Sequence, residues 1–167
     1  MPVIRPITLD DAAAYRAVRL EALQDSPSAF GSTWTRESQF TDEEWLQRAR
    51  NMSGSRGIGY LSMDNGVPCG IAGAFFDEQD PLTMHIVSVW VAPAYRRTGV
   101  ARDLLDAILL QARARGVRHL LLMVTSSNAG ALAFYQSCGF TFTGRTEPYP
   151  NDPALIEYEM SRPVTAG

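Results

Sequence analysis

The 167-residue chain contains no lysine, so all 15 of its basic residues are arginines. A Walker-type phosphate loop needs a lysine on the phosphates, and a Schiff base with a carbonyl substrate or pyridoxal phosphate needs a lysine amine, so both chemistries are excluded. Cysteine is scarce, with only Cys69 and Cys138, and a chain of this length buries about two-thirds of its unfolded surface and can fold without disulfides. Both thiols are expected reduced and buried. Histidine is equally scarce, and the wide separation of His85 and His119 leaves no metal-ligand spacing, so no metal is expected. No apolar run approaches the roughly 18 residues of a membrane helix, and no basic-then-apolar leader opens the chain. These absences predict a cytoplasmic protein without a membrane partner.

A net charge of −3 lacks the basic footprint of a nucleic-acid binder. The charge is unevenly spread. Between Ala94 and Arg118 six arginines face two aspartates, leaving that segment at +4 and the remainder at −7. An anionic ligand near residues 96 to 102 and a cationic partner elsewhere suit the split.

The proportions, 46% hydrophobic and 20% charged, are those of a globular domain, and no repeat or linker divides it, which predicts one domain over residues 1–167. Val3 to Ile7 reads as a strand. Thr8 with Asp11, and Thr41 with Glu44, are capping boxes that open helices, with a short helical region after Phe30 to Ser32. The Asn65-Gly66 turn joins the strands Gly57 to Met63 and Val67 to Phe76 in a hairpin. A fourth strand covers Leu82 to Ala92. Gly99 to Arg115 is an amphipathic helix capped by Gly116, followed by an apolar strand, Val117 to Val124. A helix from Asn128 to Cys138 precedes two strands, Phe140 to Gly144 and Leu155 to Met160, with a loop of Glu147, Tyr149, Pro150, Asn151 and Asp152 between them. The fold class is α/β with a mixed sheet and helices on its faces. The last strand, near Leu155 to Met160, is expected to expose an edge able to support a homodimer.

The chemistry concentrates where the fourth strand runs through Arg96-Arg97-Thr98-Gly99-Val100-Ala101 into the long helix. The first amides of a helix lack intrahelical partners, and a glycine lets backbone approach a ligand closely, so this turn can wrap a phosphate. Arg96-x-x-Gly99-x-Ala101 resembles the Q/R-x-x-G-x-G/A pyrophosphate motif of the GCN5-related N-acetyltransferase (GNAT) superfamily. Asn128 to Phe140 is similar to that superfamily's N-x-x-A-x-x-F-Y-x-x-x-G-F segment. With the element order, the resemblance covers nearly the whole chain. It implies a six- to seven-stranded sheet splayed between strands 4 and 5, about four helices, and acetyl-CoA as cosubstrate with no other cofactor.

It further implies binding by Arg96, Arg97, Thr98, Gly99, Val100, Ala101 and Arg102 to the pyrophosphate, and by Asn128 to the pantetheine arm. The hydroxyl of Tyr135 would lie at the thioester sulfur as general acid. An amide of the fourth strand near Val89, Trp90 or Val91 is expected to stabilise the oxyanion. Asn128 and Tyr135 lie seven residues apart, about 10 Å along one helix face, so an extended arm can touch both. The acceptor would be a small-molecule or peptide amine. For its proton, Glu37, His85 and ordered water are the alternatives. Phe30, Trp34, Glu37, Trp90, Glu147, Tyr149 and Asp152 are candidates to line an acceptor pocket. A non-catalytic acyl-CoA sensor on the same scaffold is the competing expectation.

Overall fold

The computed structural model describes residues 1–165. Strand β1 (Val3–Pro6) leads through a 3-10 turn into α1 (Ala12–Asp25), and α2 (Trp34–Glu37) and α3 (Asp42–Asn51) follow. Both capping boxes form. The hairpin β2 (Gly57–Asp64) and β3 (Val67–Phe76) turns at Asn65 and Gly66, whose positive φ angles of 51° and 78° fit a primed turn. Next come β4 (Thr83–Val91), α4 (Val100–Ala114), β5 (His119–Thr125), α5 (Ala129–Ser137), β6 (Thr141–Tyr149) and β7 (Asp152–Pro163).

The last two strands are longer than the sequence suggests. Instead of a loop over Glu147 to Asp152, a hairpin pairs Glu147 with Glu157 and Tyr149 with Asp152. Strand β6 is exposed along most of its length and contains Gly144 and Pro148, so it shows no apolar alternation. Proline is tolerated there because β6 is an edge strand.

All seven strands form one sheet in the order β1-β2-β3-β4-β5-β7-β6. Strand β7 therefore lies inside the sheet, between β5 and β6, and the free edge expected at Leu155 to Met160 is covered by β6. This removes the basis for a homodimer through that edge. Every pairing is antiparallel except β4 with β5, whose parallel ladder covers only Thr83–His85 against His119–Leu121. Beyond that point β4 stays with β3 as far as Gly70↔Val91, while β5 stays with β7 as far as Thr125↔Glu157. Each strand keeps its own antiparallel partner, and the two part in a V. A bulge interrupts the β3–β4 register opposite Ala72, with Ser88 in the left-handed region at φ 62°.

Helices cover both faces. On one, Leu104 and Ile108 of α4 pack over Ala72, Met84 and Leu120. On the other, Tyr15, Val18 and Ala22 of α1 join Trp45 of α3 over Leu61 and Ile71. Close seating of α4 needs Gly70, where an added Cβ would come within 3.2 Å of Leu104 and 3.3 Å of Val100. Among the described residues no helix is long and apolar enough to cross a membrane. Cys69 and Cys138 are buried free thiols.

Candidate active site

From the end of β4 the chain turns through a 3-10 segment (Pro93–Tyr95) and enters α4 at Gly99, whose φ of 93° only glycine adopts without strain. Arg97 also has a positive φ, 62°. The turn brings the six amides from Arg97 to Arg102 together, and among the described residues none has an acceptor; the first satisfied amide is that of Asp103, bonded to the Gly99 carbonyl. An added Cβ at Gly99 would meet nothing within 4 Å, so the space before these amides is open. Orphan amides at the positive end of a 15-residue helix are donors suited to anionic oxygens. The Arg96 guanidinium points elsewhere. It donates to the Val91 carbonyl at 3.0 Å and pairs with Asp25, which also accepts from the Trp90 indole. Arg96 and Trp90 thus fix the turn against the end of α1.

Where β4 and β5 part, a cavity of about 420 Å³ opens, lined among others by Arg19, Phe30, Ser88, Asn128, Tyr135 and Glu157. Asn128 caps α5, its Oδ1 accepting from the Ala131 amide at 3.1 Å, which leaves its side-chain N–H groups for a ligand. Tyr135 packs between Phe134 and Phe140, with ring centroids 5.3 and 5.8 Å away. Burial, with a smaller contribution from Cys138, raises its phenol above the ordinary value, so it stays protonated at neutral pH. Among the described residues its hydroxyl has no hydrogen-bond partner. Val89 lies beside Ser88 on the cavity wall, above the last β4–β5 pair, where backbone directed toward β5 lacks a ladder partner.

The opposite wall belongs to α1 and the loop after it. Arg19 is buried and donates two bonds of 2.9 Å to Glu37 and a third of 2.9 Å to Ser88 Oγ, with its guanidinium over the Phe30 ring. Arg48 pairs with the same carboxylate at 2.9 Å. Glu37 is therefore no free base: it is 1% exposed, and both oxygens are committed. Burial alone would raise its pKa, but the bonds from Arg19 and the charges of Arg19 and Arg48 win and hold it below its ordinary value. A depressed folded-state pKa stabilises above the unfolded value, about 4.3, and that contribution is lost as pH falls through the folded value. Glu37→Ala, which leaves the buried Arg19 and the half-buried Arg48 unpaired, is expected to cost about 3–5 kcal/mol in denaturant unfolding at neutral pH, and less in acid.

His85 reaches the lower end of the cavity, its Nε2 held 2.7 Å from Asp77. Of the expected pocket group only Phe30 lines the cavity. Trp34 is 41% exposed, Trp90 is buried against α1, and the Tyr149 hydroxyl bonds the Phe30 carbonyl. With Asn151, which donates to the carbonyls of Phe30 and Ser32 at 3.1 Å each, Tyr149 clasps the β6–β7 hairpin to the α1–α2 loop. Arg19, Ser88, Thr125 and Glu157 escaped the sequence reading. Arg19 had a legible signal, an arginine in the apolar stripe of Tyr15, Ala22 and Leu23 that must find a buried partner. A larger cavity, about 660 Å³, lies between β1, β2 and the end of α4 and touches none of the expected site residues.

The Acetyltransferase (GNAT) family model matches residues 19–140. The chain belongs to the GNAT acetyltransferase family. A segment of 66 residues is 41% identical to the [ribosomal protein bS18]-alanine N-acetyltransferase of Escherichia coli K12, covering 39% of this chain and 45% of that protein. The chain thus spans less than half the length of this curated relative. Among solved structures, a GNAT-family acetyltransferase from Streptococcus pneumoniae superposes with a TM-score of 0.83 at 23% identity, over 99% of this chain and all of that one. A Salmonella typhimurium acetyltransferase solved with its cofactor acetyl-CoA gives 0.80 at 21% identity, over 99% and 95%. At these identities the two structures share the fold.

Proposed function

We propose that the protein transfers the acetyl group of acetyl-CoA to a primary amine by direct attack. The observation that carries this reading is the row of six unpartnered amides from Arg97 to Arg102 at the start of α4, and the cleft between β4 and β5 with Asn128 and the hydroxyl of Tyr135 supports it. Unpartnered backbone N–H groups at a helix start and a cleft with free side-chain donors suit acetyl-CoA in charge and hydrogen bonding. The backbone N–H groups of Arg97 to Arg102 would hold the pyrophosphate, the Asn128 amide would donate to the pantetheine arm, and the Tyr135 hydroxyl would serve the thioester sulfur. Bound there, acetyl-CoA supplies an activated acetyl thioester. The Val89 amide, beside the Ser88 bulge, donates to the acetyl oxygen as negative charge grows on it.

Tyr135 donates to the sulfur as the C–S bond breaks. A phenol raised above 10 is a weaker acid than a thiol near 8.5, so Tyr135 must regain a proton as it gives one; the acceptor nitrogen, which sheds a proton in the same step, is the source. Arg19, locked to Glu37 and Ser88, keeps the bulge in place. Amide hydrogen exchange tests the cofactor site: coenzyme A is expected to slow exchange at Arg97 to Arg102. Unchanged exchange there under saturating coenzyme A would contradict it.

A further inference from the structure

The general base is unassigned once Glu37 is committed to two arginines, and the register of the sheet singles out a replacement. The β4–β5 ladder pairs Thr83 with His119 and His85 with Leu121. Continued at the same offset past the splay, it brings Ser88 and Val89 level with Val124 and Thr125. The β5–β7 ladder then sets Glu157 opposite Thr125. Glu157 therefore stands level with the bulge of β4, and it lines the same cavity as Ser88, Asn128 and Tyr135. His85 pairs four residues lower, roughly 13 Å down the strand at about 3.3 Å per residue, with its Nε2 held by Asp77.

Among the described residues Glu157 has no hydrogen bond and no ion pair. Its cross-strand neighbour Glu147 is bonded to Arg145 at 2.6 Å, and Glu159, next on the same face, accepts from Thr143 at 2.9 Å. Only Glu157 of the three is left without a partner. Burial first, and the charge of Glu147 second, hold its carboxyl above the ordinary value.

We propose that Glu157 receives the acceptor as an ammonium ion and takes its proton, and that cationic amines are the substrate class. This rests on the acetyltransferase reading above. An N–H bond of the ammonium breaks, its proton moves to the Glu157 carboxylate, and the electron pair left on nitrogen forms the C–N bond. The second nitrogen proton passes to Tyr135 as Tyr135 protonates the departing sulfur, and Glu157 releases the first to solvent. The products are the amide, the free thiol and one proton. The other charged or titratable groups facing this site are Arg19 from α1, His85 with Asp77 from the β4 side, Tyr135 from α5, Glu147 with Arg145 from β6, and Glu159 from β7. Glu37 is shared by Arg19 and Arg48, which leaves that cluster one net positive charge, and among the residues lining the cavity Glu157 is the carboxylate that can offset it and receive a cation.

Glu157→Gln keeps size and hydrogen bonding and removes the base. Steady-state rates of thiol release from acetyl-CoA, measured against pH for a diamine and for an amino acid, compare it with the wild type. Glu157→Gln is expected to lower kcat/KM for the diamine on the order of 10²-fold, to lose the acid limb of the profile, and to leave coenzyme A affinity unchanged. Glu147→Gln is expected to move the acid limb to lower pH, because a neighbouring negative charge is gone. Glu157→Gln activity within twofold of wild type with the same acid limb, or faster wild-type turnover of the amino acid than of the diamine, would overturn the assignment. No wild-type turnover of any amine would instead overturn the acetyltransferase reading, while coenzyme A binding would still report on the cradle.

Discussion

Gly99→Val is expected to weaken coenzyme A binding at least 100-fold while leaving the protein folded. Gly99 sits at φ 93°, which a β-branched residue cannot adopt without strain, so the turn must rotate and redirect the amides on either side of it. Nothing within 4 Å would collide with the new Cβ, so the structural cost is confined to the backbone. An L-residue in the left-handed region costs roughly 1–2 kcal/mol, a fraction of the roughly 5–15 kcal/mol that holds a domain together. Calorimetric titration with coenzyme A, beside a thermal melt, separates binding from folding. Wild-type affinity in the variant would show that the turn is only a helix entry.

Tyr135→Phe is expected to lower kcat on the order of 10²-fold and to leave the KM for acetyl-CoA nearly unchanged. The ring keeps its contacts with Phe134 and Phe140, and because the hydroxyl has no partner among the described residues, its loss leaves nothing there unsatisfied. An interaction made only as charge develops on sulfur is lost from kcat and not from ground-state binding. General acids contribute typically 10² to 10⁴ in rate, and a thiolate is a tolerable leaving group, which places the effect at the low end. Because burial raises the phenol, wild-type kcat should show no limb from its ionisation below pH 10. Turnover within twofold of wild type, with chemistry rate-limiting, would remove Tyr135 from the mechanism.

The parts of the fold with local signals were legible in the sequence. Capping boxes marked the starts of two helices, Asn65-Gly66 marked the β2–β3 hairpin, and the apolar run of β5 marked a buried strand. The Arg96 to Ala101 turn was legible because helix entry and glycine together dictate orphan amides. What failed were properties of pairing at a distance. The place of β7 inside the sheet depends on which strand it meets, and nothing in Leu155 to Met160 states that. Glu37 reads in the sequence as a carboxylate available as a base or pocket group, because its partners lie 18 residues before it and 11 after it. Glu157 alternates with Ile156 and Tyr158 as any solvated strand face does, and only the splay of β4 from β5 turns that face into a cavity wall.

Mass spectrometry of a cationic amine incubated with the protein and acetyl-CoA tests acetyl transfer itself. The acetylated amine should accumulate with an equal amount of free coenzyme A thiol, only when protein, amine and acetyl-CoA are all present. Tight binding of acetyl-CoA with no acetylated product from a panel of cationic, neutral and acidic amines would contradict this and identify the chain as an acyl-CoA sensor on an acetyltransferase scaffold.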